Sequence, residues 1–173
     1  LLSHGDKVEL IGRYLDDSGL RVMVETGLYG GGGSGMNFTA RLDLYVIVDK
    51  DEENCRIARD NYPPPLTTVL CGDSGVLMPR VLADLQGPAL FWLDAHLVVD
   101  IDETEALDEW PCPLLAELDA LNGWLYAPES TVLIDDVRLF GSYGWPARSQ
   151  VLASLDAWTV EDRDDVIRCT PRA

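Results

Sequence analysis

Four acidic residues stand directly behind apolar runs in this chain: Glu25 closes VMVE, Asp94 closes ALFWLD, and Asp135 and Asp136 close TVLIDD. An acid at the end of a buried run is costly unless a cation, a hydrogen-bond donor or a ligand meets it. If Asp94, Asp135 and Asp136 converge, their hard oxygens would suit one Mg²⁺ or Mn²⁺, with waters and substrate oxygens completing the octahedron. Without a cation they would repel one another, and one of them would take up a proton. The plainer alternative for Asp135 and Asp136 is a pair that caps the next segment and binds Arg138. His96, two residues past Asp94, is the candidate general base and joins Asp94 as a catalytic candidate, since an imidazole titrates near neutrality. Its bland alternative is a strand-end histidine bonded to backbone.

A second constellation surrounds Glu25. Gly27 follows it, and Gly30-Gly31-Gly32-Gly33-Ser34-Gly35 then gives a backbone that can approach a ligand closely. Gly30, Gly32 and Gly35 satisfy the dinucleotide pattern GxGxxG, with Asp49 nineteen residues after Gly30. That match is weak, because a run of glycines satisfies many patterns. Glu25 tilts the choice: it would repel a pyrophosphate but attract the ammonium and sulfonium of S-adenosylmethionine. Asp49 can accept from ribose hydroxyls in either case, and Asp73-Ser74 in CGDSG stands where an adenine edge would be read.

These residues need a frame that brings strand ends together. Val22 to Val24, Ala89 to Leu93 and Val132 to Ile134 are apolar on consecutive positions, as in strands buried on both faces of a parallel sheet. In such sheets ligands bind outside the carboxyl ends of the strands. Strands are expected at 21–26, 44–48, 67–71, 89–93 and 131–135, with helices at 7–18, 51–61, 76–85, 113–122 and 150–155 and a short one after the glycines. An antiparallel hairpin of 158–161 and 165–169 closes the chain. The alternation predicts an α/β fold, a doubly wound, mostly parallel Rossmann-like sheet with a C-terminal antiparallel hairpin, in one domain over 1–173.

Composition narrows the partners. The 173 residues carry a formal net charge of −17, which argues against nucleic acid and against an anionic membrane surface. A small-molecule partner is easier to accommodate. Lysine occurs only at Lys7 and Lys50, leaving almost no candidate for a catalytic lysine. Cys55, Cys71, Cys112 and Cys169 form no CxxC pair, so neither a zinc knuckle nor a redox motif is expected. The opening LLSHGDKVEL lacks a basic region before a long apolar core, so no leader and a cytoplasmic location are expected. The acidic stretch 100–109 is either a lid or a solvated loop. Trp110, Trp124 and Trp145 are candidates for an aromatic acceptor pocket, while Trp92 is assigned to the core.

Taken together, VETGLYGG, VIVDKDEENCRIARDNY, CGDSGVLMPRVL, ALFWLDAH and TVLIDDVRLF resemble the successive motifs of the class I S-adenosylmethionine-dependent methyltransferases. WTVEDR and DVIRCTP are similar to that family's terminal antiparallel strands. The resemblance implies that Glu25 and Gly27 meet the methionine end of the cofactor, with Tyr29 and Gly31 of the loop also against it. It implies that Asp49 holds the ribose and that Asp73 with Ser74 lines the adenine pocket. Tyr29 departs from the pattern, which has glycine there. The placement of Asp94, Asp135 and Asp136 is similar to that of metal-dependent O-methyltransferases acting on catechols and sugars. There the ion would lower the pKa of a bound hydroxyl and aim its oxygen at the methyl group. The catechol-type enzymes also place a lysine nearby, and the sequence offers none beside these motifs. The implied function is methylation of a small-molecule or sugar hydroxyl, with a homodimer as one way to cover the crevice. An NAD(P)-dependent oxidoreductase and a non-catalytic cofactor-binding subunit are the alternatives.

Overall fold

A computed structural model describes residues 3–28, 32–62, 64–95, 112–142 and 144–172. Among these residues seven strands form one sheet in the order β3-β2-β1-β4-β5-β7-β6. They are β1 (Val22–Thr26), β2 (Leu44–Asp49), β3 (Thr67–Cys71), β4 (Leu90–Leu93), β5 (Thr131–Ile134), β6 (Trp158–Arg163) and β7 (Val166–Pro171). β1 to β5 run parallel, and β7 enters antiparallel between β5 and β6. The expected α/β architecture and its closing hairpin are present, with the hairpin turn at Asp164 and Asp165, both at positive φ. Strand order reverses between β1 and β4, and such a switch point opens a crevice beyond the strand ends.

The helices are α1 (His4–Ser18), α2 (Glu52–Asn61), α3 (Ser74–Asp84), α4 (Leu114–Asn122) and α5 (Arg148–Ser154). Successive strand residues face opposite sides, and this parity sorts the core into two layers. Val24, Phe91, Leu93, Val132 and Ile134 pack with the apolar stripes of α3, α4 and α5. Met23, Leu90, Trp92 and Leu133 pack with Leu10, Ile11 and Leu15 of α1 and Ala58 of α2. Trp92 is fully buried, as its place in the apolar run predicts. Trp145 and the half-buried Trp124 belong to the first layer, Trp124 donating Nε1–H to the Leu82 carbonyl at 3.0 Å, so both serve packing.

Local chemistry sets the element ends. Ser3 and Asp6 form a reciprocal capping box on α1, and Gly19 ends that helix at φ 68°. Asp51 caps α2 and Asp73 caps α3 through side chains that accept from backbone N–H groups. The short helix expected after the glycines is a single 3-10 turn, Ser34–Phe38. Its SGMNF sequence, with glycine, serine and asparagine, has too little helix propensity to propagate. Among the described residues no helix is long and apolar enough to cross a membrane.

Candidate active site

Hydrogen bonding continues one residue past the strands, which brings their carboxyl ends level. Gly27 N–H donates to Val48 O at 2.9 Å, Asp94 N–H to Thr26 O at 2.9 Å, and Asp135 N–H to Leu93 O at 3.1 Å. Glu25, Gly27, Asp49, Asp94, Asp135 and Asp136 therefore share one edge of the sheet. Gly27 sits at φ 85°, and a Cβ there would lie 2.3 Å from the Asp94 carbonyl oxygen. The close approach that this glycine permits is taken by the protein's own backbone.

Glu25 shares the parity of Met23 and faces the layer of α1 and the 3-10 turn. Its carboxylate accepts from Ser34 N–H at 2.8 Å and Gly35 N–H at 2.9 Å, and the Tyr45 hydroxyl donates to it as well. Burial pushes its pKa up to about 7, against the pull of these three donors. Gly33 and Gly35 are required here, since a Cβ on either would run into the Tyr45 side chain at 2.2 and 2.4 Å. Ser34 and Gly35, at the end of the glycine segment, are thus folded onto an acid.

Asp49 ends β2, the strand that pairs with β1. Its Oδ2 accepts from Leu28 N–H at 2.5 Å, and Oδ1 accepts from Asp51 N–H at 2.8 Å and from Asn54 Nδ2 at 3.4 Å. Burial raises its pKa. Asp73 caps α3 and pairs with Lys50 at 3.6 Å, while Ser74 is buried at the start of that helix with its hydroxyl beside the Glu117 carboxyl. These residues fit an adenosyl cofactor: a carboxylate at the end of β2 for ribose hydroxyls, and a buried hydroxyl at the start of α3. Tyr29, Gly31, His96, Trp110 and the candidate lid 100–109 lie outside the described residues.

Two residues enter the site that their motifs did not announce. Thr26 has the opposite parity to Glu25 and faces α3 and α4, where Glu117 is 1% exposed near the Ser74 and Thr26 hydroxyls. Burial pushes Glu117 up to about 7, opposed by those hydroxyls. The signal was available: Glu117 interrupts the stripe Leu114, Leu118, Leu121, where an acid has no reason to be solvated. Glu25 and Glu117 each bind a proton more readily folded than unfolded, so the stability they contribute is present below about pH 4.5 and is lost as pH rises through about 7. The change is on the order of 3 kcal/mol for each. Urea unfolding at pH 5 and pH 7.5 should show wild type losing stability relative to Glu117→Gln; parallel curves would refute the buried neutral carboxyl.

The second is Lys7. The expectation that no lysine stands by the acid cluster is corrected by the topology, which lays the first turn of α1 over the end of β5. Lys7 Nζ is in ion-pair contact with Asp135 Oδ2 and lies 3.7 Å from Asp136 Oδ1. Asp135 Oδ1 accepts from Asp136 N–H at 2.8 Å, and Arg138 pairs with both Asp136 and Asp165. Asp135 is pushed up to about 6 by burial and by Asp94, partly offset by Lys7. Burial pulls the Lys7 pKa down, but Asp135, Asp94 and Asp136 together hold it above its ordinary value. The described residues do not fit a divalent ion: both Asp135 oxygens are engaged, and the cation they meet is an ammonium. Among the described residues no group of three His, Cys, Asp or Glu side chains is arranged to hold a metal. The cysteines there are free, with Cys55 and Cys169 buried.

No family model matches the sequence, and no curated protein matches it. Solved structures do match. The O-methyltransferase TomG from Streptomyces achromogenes, involved in tomaymycin synthesis and solved with S-adenosylmethionine, is 14% identical. The match covers 99% of this chain and 82% of that one, with a TM-score of 0.65. An O-methyltransferase from Bacillus cereus in complex with S-adenosylhomocysteine is 14% identical, covering 95% and 80%, with a TM-score of 0.60. The N-methyltransferase NodS from Bradyrhizobium japonicum is 11% identical, covering 95% and 93%, with a TM-score of 0.57. At these identities the likeness shows the fold, which is that of the S-adenosylmethionine-dependent methyltransferases.

Proposed function

We propose that this protein transfers a methyl group from S-adenosylmethionine to a small-molecule acceptor, with a hydroxyl oxygen of that molecule or of a sugar as the receiving atom. The observation that carries the reading is the Glu25 carboxylate seated on Ser34 N–H and Gly35 N–H. Amides of a glycine loop are what a dinucleotide's pyrophosphate would need. Here they already serve a carboxylate, which favours a cofactor of positive charge over an anionic one. Bound there, the cofactor would supply an electrophilic methyl on a sulfonium.

The chain's own residues divide the remaining work. Asp49 accepts from the ribose hydroxyls, and Ser74 with the capped start of α3 lines the adenine side. Glu25 fixes the loop, and Asp94, Asp135 and Asp136 mark the acceptor side. His96, next in the chain but one after Asp94, is the proposed base that takes the hydroxyl proton. The printed names of TomG and the Bacillus cereus protein support oxygen as acceptor, while NodS shows the same fold serving nitrogen.

Calorimetric titration separates this reading from an NAD(P)-dependent oxidoreductase. S-adenosylhomocysteine should bind one to one, and NAD should not bind measurably. Binding of NAD with no response to S-adenosylhomocysteine would replace methyl transfer by hydride transfer. Cofactor binding without turnover on any hydroxyl or amine in a metabolite panel would leave a cofactor-binding subunit.

A further inference from the structure

At the ends of β4 and β5 an acid cluster meets cations from two other parts of the chain. Asp94, Asp135 and Asp136 supply three carboxylates, and the structure sets Lys7 and Arg138 against the last two. Parity explains the meeting. Asp135 continues the series of Leu133, which packs in the layer of α1, so its carboxylate emerges beneath that helix. Lys7 lies one turn before Leu10 and Ile11, which bury α1 in the same layer, and its stem follows them to the strand end. Asp135 is fully buried, and a buried carboxylate stripped of its cation is strongly destabilising.

We propose that Lys7 is the resident cation of this site, a positioning residue that holds Asp135 and Asp136 in place of a divalent metal. Its ammonium occupies the Asp135 oxygen that an ion would have to bind, and Asp136 N–H occupies the other. Mg²⁺ demands near-ideal octahedral oxygens at about 2.0–2.1 Å and gives up its waters reluctantly, so it competes poorly with an ammonium already in contact. The acceptor side thereby keeps a fixed positive charge whatever the metal supply. The assignment of this edge to the acceptor rests on the methyltransferase reading, but the charge arrangement does not, and neither does its test.

Mn²⁺ binding followed by electron paramagnetic resonance decides the matter on the substrate-free protein. Wild type and Lys7→Arg should bind Mn²⁺ weakly. Lys7→Met should gain a site at least about tenfold tighter, because its carboxylates lose their compensating charge. Adding Asp135→Asn to Lys7→Met should abolish the gain, which locates the ion. A wild-type site as tight as that of Lys7→Met, or no gain in a folded Lys7→Met, overturns the proposal. Should Lys7→Met fail to fold, wild type still answers. Lys7 and Lys50 are the only lysines, so a ¹⁵N-lysine ammonium spectrum has two side-chain signals to assign. The Lys7 signal should hold its position in millimolar Mg²⁺, and its displacement would show that a metal takes the site. Binding of S-adenosylhomocysteine, measured alongside, reports separately on the cofactor reading.

Discussion

Replacing Gly27 by valine should cost about 2–5 kcal/mol of folding stability, lower the melting temperature by roughly 5–20 °C and abolish cofactor binding in what remains folded. Two penalties combine at this position. The residue sits at φ 85°, a conformation L side chains rarely adopt. A Cβ would also come within 2.3 Å of Asp94 O, 2.6 Å of Asp94 C and 2.9 Å of Ala95 Cα. All three are main-chain atoms, which cannot turn aside as a flexible side chain would. Relief therefore requires β1 and β4 to part at their carboxyl ends, where the site lies. Gly19 provides the control: its φ is 68°, but nothing lies within 4 Å of a Cβ there. Gly19→Ala should lose only the conformational part, about 1 kcal/mol. If the two variants melted together, the contact with Asp94 would not be what fixes glycine at 27.

The contrast between these glycines marks what the sequence could reveal. The sheet was legible because strands buried on both faces are written as unbroken apolar runs, and the helices because their apolar residues recur at helical spacing. Asp49 and Glu25 were legible as strand-end acids. Their partners were not, since Tyr45 sits inside the run LYVIVD and reads there as one more buried aromatic. Lys7 was invisible for a different reason. A lysine in the first turn of an amphipathic helix is ordinarily solvated, and only the layer to which α1 belongs shows that it faces the end of β5. The plainer reading of Asp135 and Asp136, in which Arg138 is a partner, describes part of what the structure contains. The ion-pair network extends it with a cation from 128 residues earlier in the chain. Glu117 shows the reverse: an acid on an apolar helical stripe was a local anomaly, and its partners Thr26 and Ser74 follow once the parity of β1 is known.

Asp49→Ala should weaken S-adenosylhomocysteine by about 1–3 kcal/mol, a rise in Kd of roughly 5–150-fold, because paired ribose hydroxyls would lose a charged acceptor. The structure adds a complication that the prediction has to meet. Asp49 also anchors Leu28 N–H and Asp51 N–H, so its removal loosens the start of the glycine loop as well as the proposed ribose site. A ligand comparison separates the two effects. An analogue of S-adenosylhomocysteine lacking both ribose hydroxyls cannot use the carboxylate, so wild type and Asp49→Ala should bind it with nearly equal, reduced affinity. A loss that persists in full with this analogue would assign Asp49 to loop anchoring alone. Unchanged affinity for S-adenosylhomocysteine in a folded variant would remove it from the cofactor site. Asp73→Ala should have the smaller effect on the same ligand, since that carboxylate is partly exposed and already engaged with Lys50 and with the cap of α3. The ordering of the two variants follows from burial: a group already dry gives up its full interaction when removed, whereas water replaces much of what an exposed one supplied.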